Sequence, residues 1–241
     1  MKKVSCRICA LLVMGCMLTA LLPPAVAALP STAKLALGPD ALTDTLVENG
    51  QSTGITIPGA RYDAATNTLT LENYSGYPVF AQDMGSDFTI NLLGSNDIGS
   101  YLSPVPEGIA SVAEICVTGG DLTLTGDGIF HSNPRLHSSA PPDDGVAISV
   151  NGNCTVDGPT FNFEPALHGF SVTGTLSIVS GEITIIKTSN TIPPDYRAIR
   201  CGALSLAPDL LVREGATGAT ALIVATPTLS SAVGYLRIAT P

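Results

Sequence analysis

The residues best suited to chemistry are Asp143 and Asp144, adjacent in Asp143-Asp144-Gly145, followed by His168-Gly169 and then Lys187. Glycoside hydrolysis needs one carboxylic acid to protonate the leaving oxygen and a second carboxylate to activate water across the sugar. Adjacent carboxylates on a strand edge can fill these roles when a third acid stands nearby. A second grouping lies in the longest polar insertion, residues 130–145, which holds His131 and His137 and ends on the same two aspartates. Two imidazoles with a carboxylate form a zinc donor set, but this spacing matches no standard ligand motif, so no metal and no cofactor is expected. A loop projecting from a rigid scaffold is the usual place for recognition. Phe130, His131, Arg135 and His137 are therefore the expected contact residues of a binding surface. Sugars stack on exposed aromatic rings, which adds Tyr74, Tyr77, Tyr101 and Tyr196. Structural roles compete with each of these. Asp143-Asp144 caps a loop after Pro141-Pro142, His168 sits on a turn, and a tyrosine equally packs a loop.

The elements that must position these residues show themselves as a repeat. A tripeptide of apolar, Thr or Ser, apolar recurs six times: Leu69-Thr70-Leu71, Phe88-Thr89-Ile90, Leu122-Thr123-Leu124, Cys154-Thr155-Val156, Leu176-Ser177-Ile178 and Leu204-Ser205-Leu206. Each is a period-2 strand with two residues facing in and one facing out. A glycine lies two positions before the last four copies, at Gly120, Gly152, Gly174 and Gly202. An apolar residue follows at a fixed offset, at Ile129, Phe161, Ile183 and Leu211. Another apolar set lies upstream: Ile115 with Val117, Ile148 with Val150, Phe170 with Val172, and Ile199. The spacing between copies varies while the internal offsets hold, as in a stack whose turns accept insertions. No long window carries helical periodicity. The expected fold is all-β, a parallel β-helix (a solenoid) with capping strands at both ends. Gly54–Arg61 leads into it and Gly234–Ile238 is read as a final strand closing the stack. Residues 28–53 carry little pattern and are read as a cap or tether before a single domain over 54–241. Thr70, Thr89, Thr123, Thr155, Ser177 and Ser205 are read as a solvated outward column.

Composition narrows the partners. The chain has 241 residues, 13% of them charged and 5% aromatic, with 24 glycines and no tryptophan. That excludes a coiled coil, a helical bundle and a basic nucleic-acid binder. Lys2, Lys3 and Arg7 precede an apolar run from Ile8 to Leu22, and Ala25-Val26-Ala27 supplies a small-residue exit. Residues 1–27 therefore read as a secretory signal peptide, and the mature chain is expected to be secreted and free of a membrane span. Three bases leave with that segment and the first acid is Asp40, so 8 bases and 20 acids remain and the net charge moves from −9 to −12. Such a surface repels phosphate polymers, anionic headgroups and polyanionic glycans. Cys116, Cys154 and Cys201 remain, and free buried thiols are expected.

The stretches Tyr62–Asn73, Phe88–Ile98 and Gly120–Gly126 resemble a family of secreted β-helical repeat proteins of gut-type Gram-positive bacteria, the carbohydrate-binding-domain-containing proteins. The resemblance covers residues 54–240 and implies a right-handed parallel β-helix at the cell surface, with a glycan as the implied partner. Asp143-Asp144 with His168-Gly169 resembles motifs of the polygalacturonases. No Asn-Thr-Asp precedes them, Leu167 stands in place of the first glycine, and Ile185-Ile186-Lys187 lacks the arginine. Within Tyr62–Thr68, Asp63, Thr66 and Asn67 are turn formers that set register. The sequence is thus read as a non-enzymatic, glycan-binding or adhesive surface protein. A polysaccharide hydrolase and a purely structural repeat protein are the alternatives.

Overall fold

Alternation of apolar and Thr or Ser residues gives strands with one buried and one solvated face, and the chain builds little else. The computed structural model describes residues 28–38, 44–99, 113–132, 145–164, 168–187, 197–216, 218, 222–224 and 234–241. Among the described residues there is no helix. The amino-terminal strands are β1 (Lys34–Ala36), β2 (Thr45–Glu48), β3 (Gln51–Ser52), β4 (Ala60–Asp63) and β5 (Thr68–Glu72). Then come β6 (Ser75–Gly76), β7 (Val79–Leu93), β8 (Ser95–Ile98), β9 (Ile115–Gly126) and β10 (Ile129–Ser132). The middle gives β11 (Val146–Val150), β12 (Cys154–Asp157), β13 (Thr160–Phe163), β14 (His168–Ile178) and β15 (Glu182–Ile186). The last are β16 (Ile199–Leu206), β17 (Leu211–Gly215), β18 (Leu222–Val224) and β19 (Tyr235–Ala239).

Strands of successive repeats pair in parallel, in three columns. In the first, Ile115 lies opposite Val79 and Ile148, and Phe170 opposite Ile148 and Ile199. In the second, Phe88, Leu122, Cys154, Leu176 and Leu204 face one another in turn. The third runs through Phe130, Phe161 and Ile183. Buried residues of all three columns join in one core cluster that extends from Ala33 to Ile238. Long strands such as β9 and β14 serve the first and second columns with a bend between them.

The bend explains the glycines. A Cβ on Gly120 or Gly152 would collide with the carbonyl oxygen of Gly85 or Gly120 in the preceding repeat, and one on Gly174 would stand 2.7 Å from Gly152 O. The backbone must turn there while one repeat rests directly on the last, and no side chain fits. Polar side chains finish the corners. Asp121 Oδ1 accepts from Asn153 N at 2.8 Å, and Asn153 Oδ1 accepts from Thr175 N at 2.9 Å.

Register departs from the sequence reading in two places. Leu69 faces Ile90 and Leu71 faces Leu92, so the first tripeptide is displaced by two residues from the second. Two residues preserve the inward and outward facing, so the apolar pattern cannot sense the shift. In the third column Phe161 lies opposite Ile183 as expected, but at Ile129 and Leu211 the displacement is one residue, which exchanges inward and outward positions there. Phe130, not Ile129, lies opposite Phe161, and Val212, not Leu211, lies opposite the buried Ile238. Accordingly Phe130 is fully buried and Ile129 is 37% exposed.

Of the two readings of the amino end, cap or tether, the pairing fits the cap: β1 pairs antiparallel with β7, and β2 and β3 follow it. In the turn at 63–68, Asp63 Oδ1 accepts from Ala65 N and Asp63 Oδ2 from Thr66 Oγ1. Asn67, buried and left-handed at φ 49°, donates to Met84 O and accepts from the Tyr62 hydroxyl. At the carboxyl end β19 does not close the stack. It inserts between β15 and β17, antiparallel to both, and Arg237 reaches Glu182 at 2.8 and 3.1 Å. Cys116, Cys154 and Cys201 are all free thiols. Cys154 fills the inward slot between Leu122 and Leu176, and burial raises its pKa, as it raises that of Cys116 to about 11.

Gly152→Ala should cost about 1–3 kcal/mol, because the added methyl forces the stacked backbones apart. Urea denaturation would show it as a lower midpoint with an unchanged slope.

Candidate functional site

The one-residue displacement in the third column decides what that face offers to solvent. With Asn96, Phe130, Phe161 and Ile183 turned inward, the alternate residues Asp97, His131, Asn162 and Thr184 face outward in consecutive register. Ser75 precedes them and Arg237 follows. Neighbouring positions in such a ladder stand about 4.8 Å apart. A groove of about 270 Å³ opens along it, lined by Asp97, His131, Ser132, Asn162, Phe163, Glu164, Thr184 and Ile186. Its floor is firm, because Phe130, Phe161, Phe163 and Phe170 pack ring to ring at centroid distances of 5.2–5.9 Å.

The polar groups of this groove differ from those elsewhere on the stack. At the corners, Asn73, Asp121, Asn151, Asn153 and Asp157 each bond to the next repeat. In the groove, among the described residues, the side chains of Asp97, His131, Asn162 and Glu164 make no hydrogen bond or ion pair. Ser132 is 5% exposed and its Oγ has no partner. A buried hydroxyl without a partner costs roughly 1–3 kcal/mol, and this one lies on the inward side of β10, opposite Phe163. Thr184 Oγ1 is 3.3 Å from Glu182 Oε1. A larger groove of about 420 Å³ on the first column is lined by Ser149, Ser171, Thr173, Arg200 and Cys201, but Arg200 is already engaged.

The sequence candidates fall in different places. His131 is in the groove, on a strand rather than a loop. Phe130 is fully buried beneath it and has no surface to offer a ligand. Tyr74 is also buried, and its hydroxyl donates to Tyr77 O at 2.9 Å; desolvation lifts its pKa to about 12. Tyr77 is 49% exposed. His168 is buried opposite Val146, with Nδ1 2.9 Å from Arg197 O, so it braces a backbone segment. Burial lowers the pKa of Lys187, whose backbone N donates to Gly234 O at 2.8 Å. Arg135, His137, Tyr101, Tyr196, Asp143 and Asp144 lie outside the described residues. Asp97, Ser132, Asn162, Glu164 and Thr184 were not expected. Their signal is the strict alternation in Ser95–Ile98, Ile129–Ser132 and Thr160–Phe163, legible only once Phe130 rather than Ile129 is set inward.

Among the described residues no cluster of three or more His, Cys, Asp or Glu could hold a metal ion, and no helix is long and apolar enough to cross a membrane. No family model, curated protein or solved structure matches the chain.

Truncation of the two neighbours Ile129 and Phe130 should separate surface from floor. Phe130→Ala is expected to cost about 3–5 kcal/mol, and Ile129→Ala less than about 1 kcal/mol. Thermal unfolding of the two variants checks the facing directly.

Proposed function

We propose that this chain is a secreted, non-enzymatic surface protein built as a right-handed parallel β-helix, and that it binds glycan in the groove around His131 and Asn162. The observation that carries this reading is a groove lined by four polar side chains, Asp97, His131, Asn162 and Glu164, that are unengaged among the described residues. Sugars present many hydroxyls, which donate and accept at once. Asn162 and His131 can do both, Asp97 and Glu164 accept, and Thr184 can do either. Ile186, 40% exposed, offers apolar contact to a ring face.

Three parallel columns around one core support the solenoid reading, as do stacked glycine bends and connections of varied length. Right-handedness follows the general preference for parallel crossovers. The signal-like segment 1–27 supports export. The likeness of Tyr62–Asn73, Phe88–Ile98 and Gly120–Gly126 to the carbohydrate-binding-domain-containing family points the same way. Asp97 and Glu164 sit two strands and two residues apart, about 12 Å between Cα atoms.

A glycan array probed with the purified protein should show binding to uncharged or basic oligosaccharides and none to polygalacturonate. Asn162→Ala should reduce that binding at least about tenfold, the loss of one well-placed polar contact. No signal on any glycan overturns the proposal.

A further inference from the structure

The groove's charge is one-sided. Asp97 and Glu164 are both exposed, and neither carboxylate is engaged among the described residues. Among the described residues no lysine or arginine lines the groove. The next position on the ladder beyond Thr184 is Arg237, but both ends of its guanidinium are committed to Glu182, at 2.8 and 3.1 Å. That pair holds the Glu182 carboxyl below its usual range. Among the described residues the side-chain nitrogen groups that line this space with the two carboxylates are the His131 ring and the Asn162 amide.

Among the described residues no group of three or more His, Cys, Asp or Glu could hold a metal ion. Asp97 and Glu164 stand about 12 Å apart between Cα atoms, along and across the strands. An occupant that satisfies both must be extended, must carry positive groups at more than one point, and must offer hydroxyls to the groups between them. Resting on the glycan-binding reading, we infer that the groove takes an oligosaccharide of amino sugars whose amines are unsubstituted and protonated. Asp97 and Glu164 each receive an ammonium group. His131 and Asn162 bind hydroxyls of the intervening ring, and Ile186 lies against its apolar face. Ammonium-to-carboxylate hydrogen bonds are the stronger, charge-assisted kind, so the amines set the preference. The mature chain's net charge of −12 favours such a ligand and rejects uronates and phosphorylated sugars at a distance.

The test is titration calorimetry of the purified protein with the β-1,4-linked glucosamine hexamer and its fully N-acetylated counterpart, at about pH 6. The glucosamine hexamer should bind about tenfold more tightly, with an advantage that falls as salt is raised. In Asp97→Asn/Glu164→Gln the two hexamers should bind alike, while thermal unfolding stays unchanged because both side chains are exposed and unengaged. Equal or tighter binding of the acetylated hexamer to the unmodified protein overturns the amine preference and leaves the glycan reading standing. Failure of both hexamers, with Asn162→Ala silent on the glycan array, overturns both. A hexalysine peptide that binds as tightly as the glucosamine hexamer overturns the claim that the ligand is a sugar.

Discussion

Everything in this fold depends on parallel backbone pairing between equivalent strands, one strand spacing per repeat. Once that ladder is fixed, a side chain's neighbours are its counterparts in the repeats before and after, more than its neighbours in sequence. Apolar residues must then recur at inward slots, or a hole opens that runs the length of the core. Bends must recur at one place, and only glycine allows one carbonyl to rest against the next Cα. The low charge content and the glycine abundance are two consequences of this single geometric rule.

The same rule explains what the sequence revealed. The first and second columns were legible because β-branched and leucine residues alternate cleanly there and Gly120, Gly152, Gly174 and Gly202 pin the offset. The third column was not, because its entry turn varies. Gly126-Asp127-Gly128 is followed at once by Ile129, whereas Asp157-Gly158-Pro159 is followed by Thr160 and then Phe161, so the inward position comes one residue later after Leu122 than after Cys154. Ile129 and Phe130 are adjacent and both apolar, so hydrophobicity could not say which turns inward. That single ambiguity moved Phe130 from the expected contact surface into the core and hid the ladder from Asp97 to Thr184. The strands β1 to β3 carry no repeat signal for a different reason: the pairing of β1 with β7 is long-range and antiparallel, and leaves no periodic trace.

The polar side chains divide into two populations with different tasks. Those at the corners bridge one repeat to the next by accepting from backbone N–H groups and hydroxyls. Those on the third face have no such duty. A rigid aromatic floor holds them at fixed spacing without consuming their hydrogen-bonding capacity, so the proposed glycan meets groups already in place.

The insertion of β19 between β15 and β17 has a kinetic side. Among the described residues, β17 joins the sheet only through β19, a strand that follows it in the chain. A protein made from its amino end can therefore stack its earlier repeats one by one, but β17 cannot take its place until β19 has been made. Synthesis and placement of β17 are separated in time.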